Sequence, residues 1–192
     1  NEGVIIALDF AAILGAVLFG LEQTGLIIFF IVVQATNVVG ALIFGNLQDK
    51  LGGKKALTIS IFLMAACIGA MYFAQNQTHF FIIGAFIGAA MAGVQSVSRA
   101  MVATFSPPGK SGEFFGFFAL TGRTSSFIGP AIFGWLAAEL TLWYQSQGQA
   151  ALLAEQSGHR LALLSIAVFL FAGWVLMLRV NEAKAREMAN LK

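Results

Sequence analysis

Six polar side chains interrupt stretches that are otherwise apolar, and their types limit the chemistry open to them. Arg123 carries a permanent charge on a planar fork of N–H donors, the shape that grips a carboxylate. Asp9 suits an ammonium group or a travelling proton, and equally a structural pairing with Arg99. Gln34 and Asn37, three residues apart, share a helix face and can bind a solute or join helices by hydrogen bonds. Gln95 and Arg99 stand one helical turn apart. Covalent catalysis has no matching set. Gly109-Lys110-Ser111-Gly112 has the G-x-S-G form of a membrane serine protease, and a serine nucleophile needs its base within about 3 Å. His79 and His159 fall at the other ends of apolar runs, about 30 Å from Ser111. The same Gly-Lys-Ser triplet has Thr104 where a phosphate loop needs glycine. Two histidines and the lone Cys67, none clustered, hold no transition metal. No enzyme, cofactor, metal or nucleic-acid partner is expected.

What must position these side chains is a membrane-embedded scaffold. The 192 residues are 58% hydrophobic and only 10% charged, far below the roughly 25% that wets a soluble domain. A helix crosses the bilayer with about 20 apolar residues. Such runs lie at roughly 3–20, 25–46, 56–74, 80–104, 113–138 and 160–180. Alternating ten-residue strands are absent, so the expected fold class is an all-α membrane protein with six transmembrane helices in one bundle over 1–180. Residues 181–192 read as a polar tail.

Charge placement sets the orientation. Lys50, Lys54, Lys55, Lys110, Arg179, Lys184, Arg186 and Lys192 fall on one side, and Arg160 alone on the other. The positive-inside rule then puts both ends in the cytoplasm, in a bacterial inner membrane or a vacuolar membrane alike. Trp143 and Tyr144 belong to the opposite interfacial belt, with Gln149 to Ser157 lying flat as a surface helix. The middles of the third and sixth runs are free of charge and read as lipid-facing. The other four carry the polar residues and read as interior. That order describes two inverted three-helix repeats. Arg123 sits about ten residues into the fifth run, roughly 15 Å deep, next to a kink expected at Gly129-Pro130. Arg99 lies close enough to its helix end to snorkel. Gly84, Gly88, Ala92, Gln95 and Arg99 share one face, small at one end and polar at the other.

The segment between the second and third runs names a family. Gly45-Asn46-Leu47-Gln48-Asp49-Lys50-Leu51-Gly52-Gly53-Lys54-Lys55 resembles the G-x-L-x-D-(R/K)-x-G-(R/K)-(R/K) loop of the major facilitator superfamily. Gly53 departs from it, standing where the first basic residue of the closing pair belongs. Gly45 is expected to allow tight helix packing, and Gly52 and Gly53 a sharp turn. Gly93-Val94-Gln95-Ser96-Val97-Ser98-Arg99, Pro107-Pro108-Gly109-Lys110 and Glu113-Phe114-Phe115-Gly116 are similar to the vacuolar amino-acid effluxers and their bacterial relatives. The resemblance implies helices 7 to 12 of a twelve-helix transporter, half of a major facilitator fold. Asn1, without Met, opens straight into an apolar run, so a longer parent chain is expected. The implied partners are membrane lipid, the missing N-terminal six-helix half, and a small polar substrate such as an amino acid, with proton coupling left open. The implied gating loop is Gly45, Asp49, Lys50, Gly52, Lys54 and Lys55; the substrate or ion candidates are Arg123, Gln95, Asp9, Gln34, Asn37 and Arg99. A non-transporting membrane module for partner binding or signalling is the alternative.

Overall fold

The computed structural model describes residues 11, 13–182, 185 and 189, with Ser125 and Ser126 described in their backbone alone. Backbone polar groups in hydrocarbon must be satisfied within the segment, so the apolar runs become helices. A first helix, α1, is described at residue 11 and over 13–19. It is followed by α2 (Gln23–Leu51), α3 (Gly53–Tyr72), α4 (Gln77–Phe105), α5 (Ser111–Ser146) and α6 (Ala151–Leu178). All five of these are long and apolar enough to cross a membrane. The chain is an integral, multi-pass, α-helical membrane protein.

The centre of the bundle is α4, which packs most heavily on α2 and α3. Glycine makes the α2–α4 approach possible. A Cβ at Gly84 would enter the Phe29 ring, one at Gly88 would strike the Val33 carbonyl, and one at Gly40 the Ala89 backbone. Phe29 stacks on Phe80 with ring centroids 4.3 Å apart. The pairs Phe29–Gly84, Val33–Gly88 and Phe44–Gly93 advance together, so α2 and α4 run parallel. On the far side α5 packs on α6, where Gly158 rests against Thr141 and the Ala137 carbonyl, and α5 scarcely touches α4.

Two crossed contacts mark the ends of the span. Arg160 Nη2 donates to the Ala74 carbonyl at 3.0 Å, and Lys54 Nζ donates to the Leu178 and Val180 carbonyls, each at 2.9 Å. The stretch from Arg160 to Leu178 rises about 27 Å, close to a bilayer core of about 30 Å.

Several bounds differ from those read in the sequence. The fifth helix was expected over 113–138 and the sixth over 160–180. Instead α5 runs to Ser146 and α6 starts at Ala151, leaving only residues 147–150 between them. Trp143 and Tyr144 therefore lie on α5, and residues 151–157 stand upright in α6 rather than flat on the surface. The cause is local propensity joined to packing: Ala151-Leu152-Leu153-Ala154-Glu155-Gln156 is built of strong helix formers, and Ala154 and Gly158 are buried. Helix thus persists about 13 Å beyond the level of Arg160. At the other end, Gln48–Leu51 and Gly53–Lys55, expected as loop, are helical, and Gly52 alone joins α2 to α3. Its φ of 86° and ψ of 158° explain why glycine stands there. The expected lipid-facing role of the third helix does not make it peripheral, since α3 packs on α2, α4 and α6.

Candidate functional site

The parallel register of α2 and α4 sets the depth of each polar residue. Gln34 and Asn37 lie at the level of Gly88, because Gly88 faces Val33 and Thr36. Gln95 follows Gly88 by seven residues, about 10 Å further along the shared axis, and Arg99 by about 16 Å. The two amides of α2 and Gln95 therefore form two tiers, not one cluster. Gln34 is exposed, while Asn37, Gln95 and Arg99 are half-buried. None of the four side chains has a hydrogen bond or ion pair with another described residue. Beside Gln95, the Ser96 hydroxyl is buried and also has no partner among the described residues. In hydrocarbon such groups are costly, so an unpaired tier facing outward implies water, a solute or further protein against it.

Arg123 belongs to a separate surface. Phe133 of α5 meets the His159 ring of α6 at 6.2 Å, which places Phe133 near the Arg160 end of the span. Ten residues back along α5, Arg123 sits about 15 Å inward, mid-span. Its side chain is exposed, on a face that α4 does not cover. Pro130 lies inside α5, about two turns from Arg123, and withholds an N–H from the carbonyl four residues earlier. Asp9 lies outside the described residues.

The Gly45–Lys55 segment is divided between two tasks. Asp49 and Lys50 are exposed on the last turn of α2, where a cation favours the helix C-terminus. The register brings Asp49 to within a turn of the level of Arg99, without an ion pair between them. Gly45 does not serve close packing in this bundle: a Cβ there would meet nothing within 4 Å. Lys54 was grouped with the gate, and its ammonium instead caps the carbonyls that end α6. Lys55 is exposed. In return, the Glu182 carboxylate accepts from the Gly53 N–H at 3.4 Å and the Lys54 N–H at 3.3 Å, capping the α3 N-terminus. Sequence reading missed Glu182. The only local signal was an acid just past an apolar run, and its partner lies 129 residues away.

A second group, absent from the sequence-based candidates, lies at the α5–α6 hairpin. A cavity of about 570 Å³ is lined there by Ile13, Phe133, Ala137, Gln145, Glu155, His159 and neighbouring small residues. Treating residues 149–157 as a flat surface helix hid it, since Glu155 and His159 face this cavity only when α6 is continuous. Among the described residues no cluster of three His, Cys, Asp or Glu could hold a metal ion.

Five long apolar helices that carry mid-span polar side chains define a polytopic membrane protein. Residues 1–190 match the family described as vacuole effluxer Atg22 like, and the chain belongs to that family. The resemblance carried by Gly93–Arg99 and Glu113–Gly116 is thereby borne out. The chain is 30% identical over 123 residues to the uncharacterized MFS-type transporter YxiO of Bacillus subtilis (strain 168), covering 64% of this chain and 28% of that protein. It is 33% identical over 79 residues to autophagy-related protein 22 of Candida glabrata, covering 41% of this chain and 15% of that one. A benzoate transport protein of Acinetobacter baylyi is 31% identical over 108 residues, covering 50% of this chain and 23% of its own length. The matched stretch thus spans less than a third of each of these relatives. No solved structure matches the chain.

Proposed function

We propose that the chain is the C-terminal six-helix half of a secondary active transporter, built from two inverted three-helix units, α1–α3 and α4–α6. It moves a small polar solute, an amino acid being the favoured class, by alternating access, with both ends in the cytoplasm. The observation that carries this reading is the set of mid-span amide side chains, Gln34, Asn37 and Gln95, that reach solvent without a side-chain hydrogen bond to another described residue, together with the exposed side chain of Arg123. A six-helix N-terminal half covers those faces and encloses a watery path between the two. Membership of an effluxer family and likeness to named transporters support the reading.

Roles follow from chemistry and depth. Arg123 holds a substrate carboxylate, because its planar fork makes two parallel hydrogen bonds where water is scarce. Gln95, Gln34 and Asn37 supply donors and acceptors at successive levels of the path, and Asp9 an acceptor for the solute's ammonium or for a coupled proton. Asp49, exposed at the α2 terminus, docks on a helix N-terminus of the other half when that side closes. Gly52 sets its position, and Lys50 and Lys55 hold the junction at the cytoplasmic face.

The test is flux. The full-length protein in proteoliposomes, screened across amino acids with and without a proton gradient, is expected to move at least one of them. An absence of flux for every solute, from protein that is folded and inserted, contradicts the proposal.

A further inference from the structure

The cavity in the α5–α6 hairpin takes no part in the transport reading, and its lining has a consistent chemical sense. It lies at the end of the span marked by Arg160, between α1, α5 and the part of α6 that continues past the bilayer core. Its floor is apolar: Ile13, Phe133 and Ala137. Its mouth carries Gln145, Glu155 and His159, and no Lys or Arg lines it among the described residues.

Glu155 and His159 are one helical turn apart on α6. His159 Nδ1 lies 2.9 Å from the Glu155 backbone carbonyl. A carbonyl only accepts, so Nδ1 carries the proton of that bond, and in an uncharged ring Nε2 is then an acceptor. Neither Nε2 nor the half-buried Glu155 carboxylate has a hydrogen bond or ion pair with another described residue. The mouth therefore offers a carboxylate, a second ring nitrogen and the Gln145 amide, whose oxygen can accept, above an aromatic ring. An anion is repelled by this set, and a neutral alcohol fills only part of it.

The geometry points to a binding site for an ammonium group attached to a small apolar body. The charge is held by Glu155, a second N–H by His159 Nε2 or Gln145, and the apolar part lies on Phe133, whose ring face also attracts a cation. A volume of about 570 Å³ is within the range of small-molecule pockets, roughly 300–1,000 Å³. The position at the edge of the bilayer core suits an amphiphile. Two sources share the chemistry: a free arylalkyl or alkyl amine, and the ethanolamine head of a membrane lipid. Nothing in this inference depends on Arg123 or on the faces of α2 and α4, so it stands or falls apart from transport.

Calorimetric titration of the full-length protein in lipid-free detergent tests it, with phenethylamine as the probe and the uncharged 3-phenylpropanol as its control. Phenethylamine is expected to bind at least tenfold more tightly than the alcohol. Glu155→Gln is expected to remove that preference while alcohol affinity stays the same. The Glu155 carboxylate bonds no described residue, so the variant is expected to keep its detergent Tm; Gln145→Leu, at the exposed rim, reads a smaller loss of the same preference if it does not. Adding phosphatidylethanolamine, but not phosphatidylcholine, displaces the probe if the lipid head is the natural occupant, and leaves it bound if a free amine is. Equal affinity for amine and alcohol, or an amine preference that survives in both variants, overturns the assignment.

Discussion

Glycine is frequent both at the α2–α4 contact and along α5, and its surroundings in the two places are opposite. At Gly40, Gly84 and Gly88 the missing side chain is replaced by a neighbouring helix, which comes so close that a Cβ has no room. At Gly112, Gly116, Gly129 and Gly134 a Cβ would meet nothing within 4 Å. Membrane helices use small residues to let backbones approach, and gain dispersion contacts from doing so. The α2–α4 seam is therefore finished within this bundle. The glycines of α5 weaken its helix by about 0.5–1 kcal/mol each relative to alanine and are offset by no contact here. Under the transporter reading, the close contact that α5 is built for is made by the other half.

The largest effect that separates the two regions is expected from Gly88→Ala. Its new methyl would press on the Thr36 hydroxyl and on the Val33 carbonyl, and the carbonyl cannot yield without moving α2. The expected loss is about 1–3 kcal/mol, read as a fall in detergent Tm. A variant as stable as the parent would show that the seam is looser than described.

Next in size is Arg123→Lys, which keeps the charge and loses the planar fork. Transport assays on the full-length protein are expected to show at least a tenfold loss of apparent substrate affinity, about 1.4 kcal/mol, with unchanged Tm. Unchanged affinity with reduced stability makes Arg123 a structural residue instead.

Glu182→Gln removes the charge that caps the α3 N-terminus, and about 1 kcal/mol of stability is expected to go with it. The effect is expected to shrink in high salt, since the site is half-exposed. A cap that tolerates the change with no shift in Tm at low salt is not holding α3 to the end of α6.

The smallest change has the opposite sign. Gly116→Ala places a methyl in open space on α5 and is expected to stabilise the isolated 192-residue chain by up to about 1 kcal/mol. In the full-length protein the same methyl is expected to cut transport. Destabilisation of the isolated chain would mean that α5 is already packed there.

Spans were legible in the sequence because hydrocarbon imposes one solution on a long apolar run, and the expected ranges overlap α2 to α6 throughout their apolar parts. Ends were less legible. Helix outside the bilayer obeys propensity and packing, as Ala151–Gln156 shows, and hydropathy does not register it. The depth of Arg123 and the turn at Gly52 followed from local features, a count of residues and a glycine. The roles of Lys54 and Glu182 did not, since each depends on a contact between α3 and chain beyond α6 that lies more than a hundred residues off. Glu155 and His159 escaped for a related reason: their shared cavity exists only when α6 is extended and set against α5 and α1.

The account rests on the open face of α5 lining a watery path and not lipid. Ala119, one turn before Arg123 and exposed, reports on that face directly, whereas Phe117, also exposed, points elsewhere around the helix. Each is to be changed to cysteine, Ala119→Cys and Phe117→Cys, in full-length protein with other thiols, including Cys67, replaced. A charged, membrane-impermeant thiol reagent is then applied to proteoliposomes. The account predicts modification at position 119, slowed by substrate, and none at 117. Protection of 119 in all conditions, with or without substrate, would contradict it.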